Sequence, residues 1–308
     1  MIFWKKIKEQ FIPADVPAAK KYDFAKNYQA ITRGTNHLML FSCDQKIEHM
    51  NDDFYGPDIP VEDNNPEHLF EIASKGDIGA MAIQLGLLAR YGNQYKNIDY
   101  IVKLNSKTNL VKEEIKDPFS KQLWTVKDVV KFQKHTNLKI RGIGFTLYLG
   151  SEFEAEMLHT AAKMVFEAHQ HGLITILWMY PRGKSITNQL DGNLIAGAAG
   201  VANALGSDFA KINPPKSSDN KTSEKWLAIA AQTAGNTKLL CSGGATIDDE
   251  KFLQKLYNQI HVGNIAGNAT GRNIHQKTLG HAIAFTQAIA AIVYENQNIE
   301  KAISLLKK

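Results

Sequence analysis

Short apolar runs that end in polar residues recur along the chain at His37 to Asp44, Gly79 to Leu85, Tyr100 to Asn105, Gly142 to Tyr148, Leu173 to Tyr180, Asp208 to Asn213, Lys238 to Ser242 and Ile260 to Gly267. Runs of this length and composition predict eight strands. The stretches between them carry apolar residues at helical spacing, at Pro66 to Lys75, Val126 to His135, Glu152 to His171, Leu190 to Leu205, Ser223 to Ala234 and Asp248 to Gln259. Boundary residues agree with that division: Gly172 follows one helix, Asp191 opens another, and Thr246 and Asp248 precede a third. Strand and helix alternate to the end of the chain, where Gln276 to Asn296 and Glu300 to Leu306 supply the last helices. The pattern predicts an α/β fold, a (βα)8 TIM barrel formed by a single domain over residues 31–308, with residues 1–30 as a short N-terminal extension.

The rival architecture is an open doubly wound sheet, which would place a glycine-rich turn after the first strand and an acidic residue after the second. The chain instead reads Asp44-Gln45-Lys46-Ile47-Glu48-His49 after its first strand, too polar and too poor in glycine to cradle a dinucleotide. Composition narrows the picture further. With 44% hydrophobic and 22% charged residues in 308, the chain has ordinary globular character and enough length to enclose a large core. The formal charge of +5 is spread along the chain, and the clusters Lys5-Lys6 and Lys307-Lys308 sit at its ends, so no nucleic-acid partner is expected. Met1 to Ile12 holds no apolar stretch long enough for a signal peptide or membrane span, which predicts no membrane partner and a cytoplasmic setting. Cys43 and Cys241 both fall within strand runs and read as buried free thiols, as suits a reducing compartment.

In such a barrel the chemistry belongs at the C-terminal strand ends, where the sequence offers Asp44, Lys103, Asn105, Trp178, Tyr180, Arg182, Lys211, Asn213, Ser242 and Arg272. Lys211 is the most informative, because it follows apolar strand residues in Asp208-Phe209-Ala210-Lys211-Ile212-Asn213 and must end in the barrel mouth. Burial lowers an amine's pKa, and a partly neutral lysine attacks carbonyls to form an imine that acts as an electron sink. The bland alternative is a lysine that snorkels outward or pairs with Asp44 or Asp208. Tyr180, two residues beyond Trp178, would hold a phenol near that imine to relay a proton, unless it is simply core. Arg182 follows Pro181 in a loop, to meet a phosphate or hydroxyl or only solvent. Cys241-Ser242-Gly243-Gly244 and Gly267-Asn268-Ala269-Thr270-Gly271-Arg272 stand after the seventh and eighth strands, the two places where barrels bind phosphate through freed backbone N–H groups. A zinc enzyme would reach similar products, but His37, His49, His68, His135 and His159 lie far apart without ligand spacing, so no metal is expected.

The blocks Asp44 with His49 and Asp53, Val102-Lys103-Leu104-Asn105, Tyr148-Leu149-Gly150-Ser151-Glu152, Trp178-Met179-Tyr180-Pro181-Arg182-Gly183, Ala210-Lys211, Ser242-Gly243-Gly244 and Gly271-Arg272-Asn273 occur in an order that resembles the archaeal-type class I fructose-bisphosphate aldolases. The likeness runs from about Leu38 to Gln276. It implies a Schiff-base lysine at Lys211, a proton donor at Tyr180, assistance from Asp44, and Trp178 and Lys103 at the site. It further implies a phosphate grip of Ser242, Gly243, Gly244, Gly271 and Arg272, and substrate contacts at Gln45, His49, Asp53, Arg182, Ile212 and Asn213. Cleavage of a phosphorylated sugar without cofactor or metal, in a homo-oligomer, is the activity it implies. Related members act on other phosphorylated ketoses or aminoketo sugars, and a barrel that binds a phosphosugar without turnover is a further alternative. The chain departs from the resemblance in three places. Many members have Asp-His-Gly where this chain has Asp44-Gln45-Lys46, the segment Met50 to Asn65 is longer and more acidic, and His275 stands where an aromatic is common.

Overall fold

The computed structural model describes residues 12–111 and 117–306. The lysines at 5, 6, 8, 307 and 308, and with them the first part of the expected extension, lie outside the described residues. Eight parallel strands close into a barrel in chain order: β1 (Leu38–Ser42), β2 (Ala80–Gln84), β3 (Asp99–Lys103), β4 (Lys139–Leu149), β5 (Ile174–Pro181), β6 (Phe209–Ile212), β7 (Lys238–Ser242) and β8 (Gly267–Thr270). Leu38 of β1 pairs with Gly267 of β8 to seal the ring. Seven strands lie where the sequence pattern puts them. The eighth is displaced from the expected Ile260 to Gly267, because Ile260 and His261 continue the preceding helix, Asp249–His261, and the strand itself begins only at Gly267. No helix among the described residues is long and apolar enough to cross a membrane.

Strand alternation divides the apolar residues into two cores. Leu38, Leu40, Ala82, Ile101, Ile176, Phe209, Leu240 and Ala269 face inward and fill the barrel. Met39, Phe41, Met81, Val102, Leu177, Ala210, Ile212 and Cys241 belong to the larger layer packed against the helices. A helix not anticipated from the spacing, Lys21–Thr32, crosses the expected boundary at residue 30 and lays Phe24, Tyr28 and Ile31 against the inner core. Its Tyr28 ring stacks on Phe209 with centroids 5.5 Å apart, so the barrel has a floor at the N-terminal end of its strands. The outer helices start on side-chain caps: Thr125 and Asp128 form a capping box, and Asp191, Thr222, Asp248 and Asn298 each accept from a backbone N–H in the first turn.

Registers bring the polar strand ends to a common level. Gln84 pairs with Lys103, Lys103 with Gly144, and Trp178 with Lys211. Gly144 is glycine for reasons of space, since a Cβ there would stand 2.4 Å from the Trp178 ring. The indole therefore lies flat across the upper interior, over the stem of Lys103.

Candidate active site

Lys211 enters the barrel from β6 on the same face as Phe209, and its side chain is only 6% exposed. Its Nζ donates to Ser42 Oγ at 3.1 Å and lies 5.6 Å from the centre of the Trp178 ring. Burial pushes this amine down to about 8, with the Lys103 and Arg272 cations adding to the depression and Asp44 opposing it. At pH 7 about one such lysine in ten is neutral, against roughly one in three thousand for an ordinary lysine. The alternative in which Lys211 is ion-paired to Asp44 is not what forms, because Lys103 Nζ occupies Asp44 Oδ2 at 3.2 Å. Asp44 Oδ1 is buried with no hydrogen-bond partner among the described residues, and the Trp178 Nε1 donor is likewise unsatisfied. Two buried polar atoms thus stand unsatisfied on residues that line the cavity around Lys211.

Tyr180 lines the same cavity, its ring stacked on Tyr148 at 6.5 Å, with the Arg182 guanidinium 5.8 Å from its centroid. Burial holds the Tyr180 phenol well above its usual range, and the Asp44 carboxylate pushes it the same way. It therefore carries its proton at neutral pH. Tyr148 is also kept protonated, by burial and by Glu48, to which its hydroxyl donates at 2.6 Å.

The loops after β7 and β8 meet beside Lys211. Asn273, buried behind them, donates to the carbonyls of Gly243 and Ala245 at 3.4 and 3.0 Å and accepts from the Ile247 N–H at 3.0 Å, which ties one loop to the other. Gly244 takes φ +75°, a left-handed conformation that glycine adopts without strain. Ser242 donates to Asn213 at 2.7 Å, and Arg272 pairs with Asp53 at 3.3 Å while remaining partly exposed to the cavity. Backbone N–H groups, a hydroxyl and a guanidinium converge here, a set of donors whose chemistry suits an anion.

Of the residues singled out from the sequence, Asp44, Gln45, His49, Asp53, Trp178, Tyr180, Arg182, Lys211, Asn213, Ser242, Gly243, Gly244, Gly271 and Arg272 line this one pocket. Two do not. Ile212 points outward into the helix-facing core, because it alternates with Lys211 on β6. Lys103 is not among the lining residues; its ammonium lies 4.6 Å from the centre of the Trp178 ring and pairs with Asp44. Asn105 also proves structural, with its carboxamide bonded to the backbone of Ser120 and Thr146. The sequence reading missed Glu48, Thr146 and Tyr148 as lining residues and Ser42 as the lysine's partner. Glu48 was findable as the residue one helical turn after Asp44, and Ser42 as the residue sharing its strand face. Among the described residues no group of three His, Cys, Asp or Glu side chains is arranged to hold a metal ion.

Comparison with known proteins agrees with this geometry. Residues 38–277 match the family described as DeoC/LacD family aldolase. The chain is 51% identical over 305 residues to a Methanocaldococcus jannaschii protein named fructose-bisphosphate aldolase/6-deoxy-5-ketofructose 1-phosphate synthase, covering 99% of this chain and 97% of that one. Among solved structures, a fructose-bisphosphate aldolase from Slackia heliotrinireducens superposes with a TM-score of 0.95 at 48% identity, over 98% of this chain and 95% of the other. A Schiff-base-forming fructose-1,6-bisphosphate aldolase superposes at 0.74 and 27% identity, over 88% of this chain and all of its own.

Proposed function

Because the chain belongs to the DeoC/LacD family of aldolases, we propose that it is a class I fructose-bisphosphate aldolase, which reversibly cleaves fructose 1,6-bisphosphate to dihydroxyacetone phosphate and glyceraldehyde 3-phosphate through an imine on Lys211, without metal. The observation that carries this reading is the buried amine of Lys211, lowered to about 8 and hydrogen-bonded to a neutral hydroxyl. The neutral amine adds to the ketone carbon, and loss of water leaves the iminium. As the C3–C4 bond, one carbon removed from the iminium, breaks, the C4 hydroxyl gives up its proton to become the aldehyde and the bond's electron pair flows into the iminium to give an enamine. Tyr180, protonated and beside the cavity, and Asp44, with one free oxygen, manage that proton transfer and the return of a proton to the enamine carbon. The loops at Ser242 to Gly244 and Gly271 to Arg272 grip one phosphate, while Gln45, His49, Asp53, Trp178, Arg182 and Asn213 line the rest of the substrate.

In this reading residues 31–308 are the catalytic barrel and 1–30 an extension whose second part serves it as a floor. A homo-oligomer is proposed on the family likeness. A cytoplasmic setting is supported by Cys43 and Cys241, both free and buried, and the reaction would serve glycolysis or gluconeogenesis. A second reading keeps the imine and changes the carbonyl partner, in line with the synthase half of the relative's name and with Gln45 in the pocket wall.

Borohydride reduction with dihydroxyacetone phosphate and EDTA present, followed by peptide mass analysis, tests the proposal. An adduct on Lys211 that is absent from Lys211→Met supports it. A folded protein that traps nothing on any lysine overturns it. A panel of aldehyde partners then separates the two readings.

A further inference from the structure

The three places where the chain departs from its family resemblance come together in space. Gln45, in the pocket wall, lies 3.0 Å from His275 Nε2, and His275 Nδ1 lies 2.6 Å from Asp63 Oδ2. His275 and Asp63 are fully buried. Behind them the Lys46 ammonium donates to the Asp63 carbonyl at 2.8 Å and sits 3.8 Å from the centre of the Phe54 ring, which itself stacks on His275 at 4.6 Å. The acidic segment is thereby fastened around the imidazole.

This arrangement determines what Gln45 shows to a ligand. The Gln45 atom that faces His275 Nε2 is its amide nitrogen, which can only donate, so Nε2 accepts and Nδ1 is the nitrogen that donates to Asp63. The carboxamide oxygen is the end that His275 does not engage. The amide also cannot slide away, because it lies against the Cα of Gly271: a Cβ there would stand 2.6 Å from both Gln45 Nε2 and Oε1. Gly271 is therefore small to admit Gln45 beside the anion site.

We propose that Asp63 and His275 are positioning residues that fix the Gln45 carboxamide with its oxygen toward the ligand, making Gln45 a specificity residue that accepts a hydrogen bond from a hydroxyl on the carbon next to the reacting carbonyl. The inference rests on the proposed imine chemistry and adds the chemical class that the site prefers: hydroxyl-bearing phosphorylated ketones over their deoxy counterparts.

The test is borohydride trapping on Lys211 of the full chain, titrated with dihydroxyacetone phosphate and with hydroxyacetone phosphate, which lacks the second hydroxyl. The unaltered protein half-saturates at the lower concentration with dihydroxyacetone phosphate. His275→Phe keeps a ring on Phe54 but has no lone pair, and Gln45→Met has no acceptor. Each reduces the preference by roughly three- to tenfold, the range of one net hydrogen bond. The double variant loses no more than either alone, as expected of residues acting in series. If His275→Phe weakens both ligands equally, or lowers only the unfolding temperature, the network is structural and the proposal falls. Should His275→Phe not fold, Gln45→Met decides alone, and a preference retained in it overturns the proposal. Failure of the unaltered protein to trap either ligand would overturn the imine reading first, and is visible before any variant is made.

Discussion

The two ends of this barrel each bury a base, and they treat it in opposite ways. Near the floor, His169 Nδ1 lies 2.8 Å from Asp15 and Nε2 3.2 Å from Asp208. Burial works against its cation, but the hydrogen bonds and charges of Asp208 and Asp15 outweigh it and lift the imidazole to about 9. At the mouth, burial depresses Lys211 to about 8, and a carboxylate is near but already taken by Lys103. Burial acts in the same direction at both ends. The difference lies in whether a carboxylate is bonded directly to the base; at Lys211 burial dominates, and the Lys103 cation adds to the depression. The floor uses its ion pairs for stability, whereas the mouth gives stability up for chemistry.

The largest effect should come from Lys211→Met, which is expected to lower turnover at least about a thousandfold. It should also sharpen the contrast by stabilising the fold at pH 7. A base depressed in the folded state costs stability fully below its folded pKa of about 8, and the cost vanishes above 10.5. Denaturant unfolding should show a gain of up to about 3 kcal/mol at pH 7 that shrinks by pH 10. A variant less stable than the parent at pH 7 would break the comparison.

His169 should behave with the opposite sign. Its folded pKa lies above the unfolded 6.5, so its contribution is full below that value and disappears as pH rises through 9. Stability should fall by about 3 kcal/mol between pH 6 and 9.5 from this group, and His169→Phe should flatten that part of the profile while imine trapping on Lys211 persists. A profile with the same slope in both proteins would remove His169 from the account.

The rate of imine formation offers a smaller and more direct readout. It should rise roughly tenfold from pH 6 to pH 7 and level off above about 8, following the neutral fraction of Lys211. In Lys103→Met, which frees Asp44 to pair with Lys211, the plateau should move to higher pH. An unmoved plateau would remove Lys103 from the account, since losing either its repulsion or its hold on Asp44 raises the pKa of Lys211. The smallest change expected is in Gly144→Ala, where the new methyl meets the Trp178 ring. Overpacking of this kind costs about 1–3 kcal/mol, and thermal unfolding would measure it.

Most of the barrel was legible because its strands are short apolar runs ending in polar residues and its helices repeat at 3.6. The eighth strand was not, since Gly267, Asn268, Ala269 and Thr270 carry no hydrophobic signature, while Ile260 just upstream does. The floor helix was missed for a related reason, since Tyr28 and Phe24 declare their purpose only once Phe209 is known to face them. At the site, strand-end position was enough to find Lys211, Tyr180 and Asp44. Ile212 was named on the family likeness alone, and strand alternation turns its side chain outward, away from the pocket. The link among Gln45, Asp63 and His275 could not be read from spacing, because the partners stand 230 and 212 positions apart and meet only when β8 closes against β1.

The floor under Phe209 has a consequence for traffic. A barrel stopped at one end by Phe24, Tyr28 and Ile31 leaves, among the described residues, the end over Tyr180 and Arg182 as its way in and out. In the proposed reaction one fragment stays on Lys211 while the other departs through that end, so release is a queue imposed by architecture, and an excess of free aldehyde should slow it by standing in the exit.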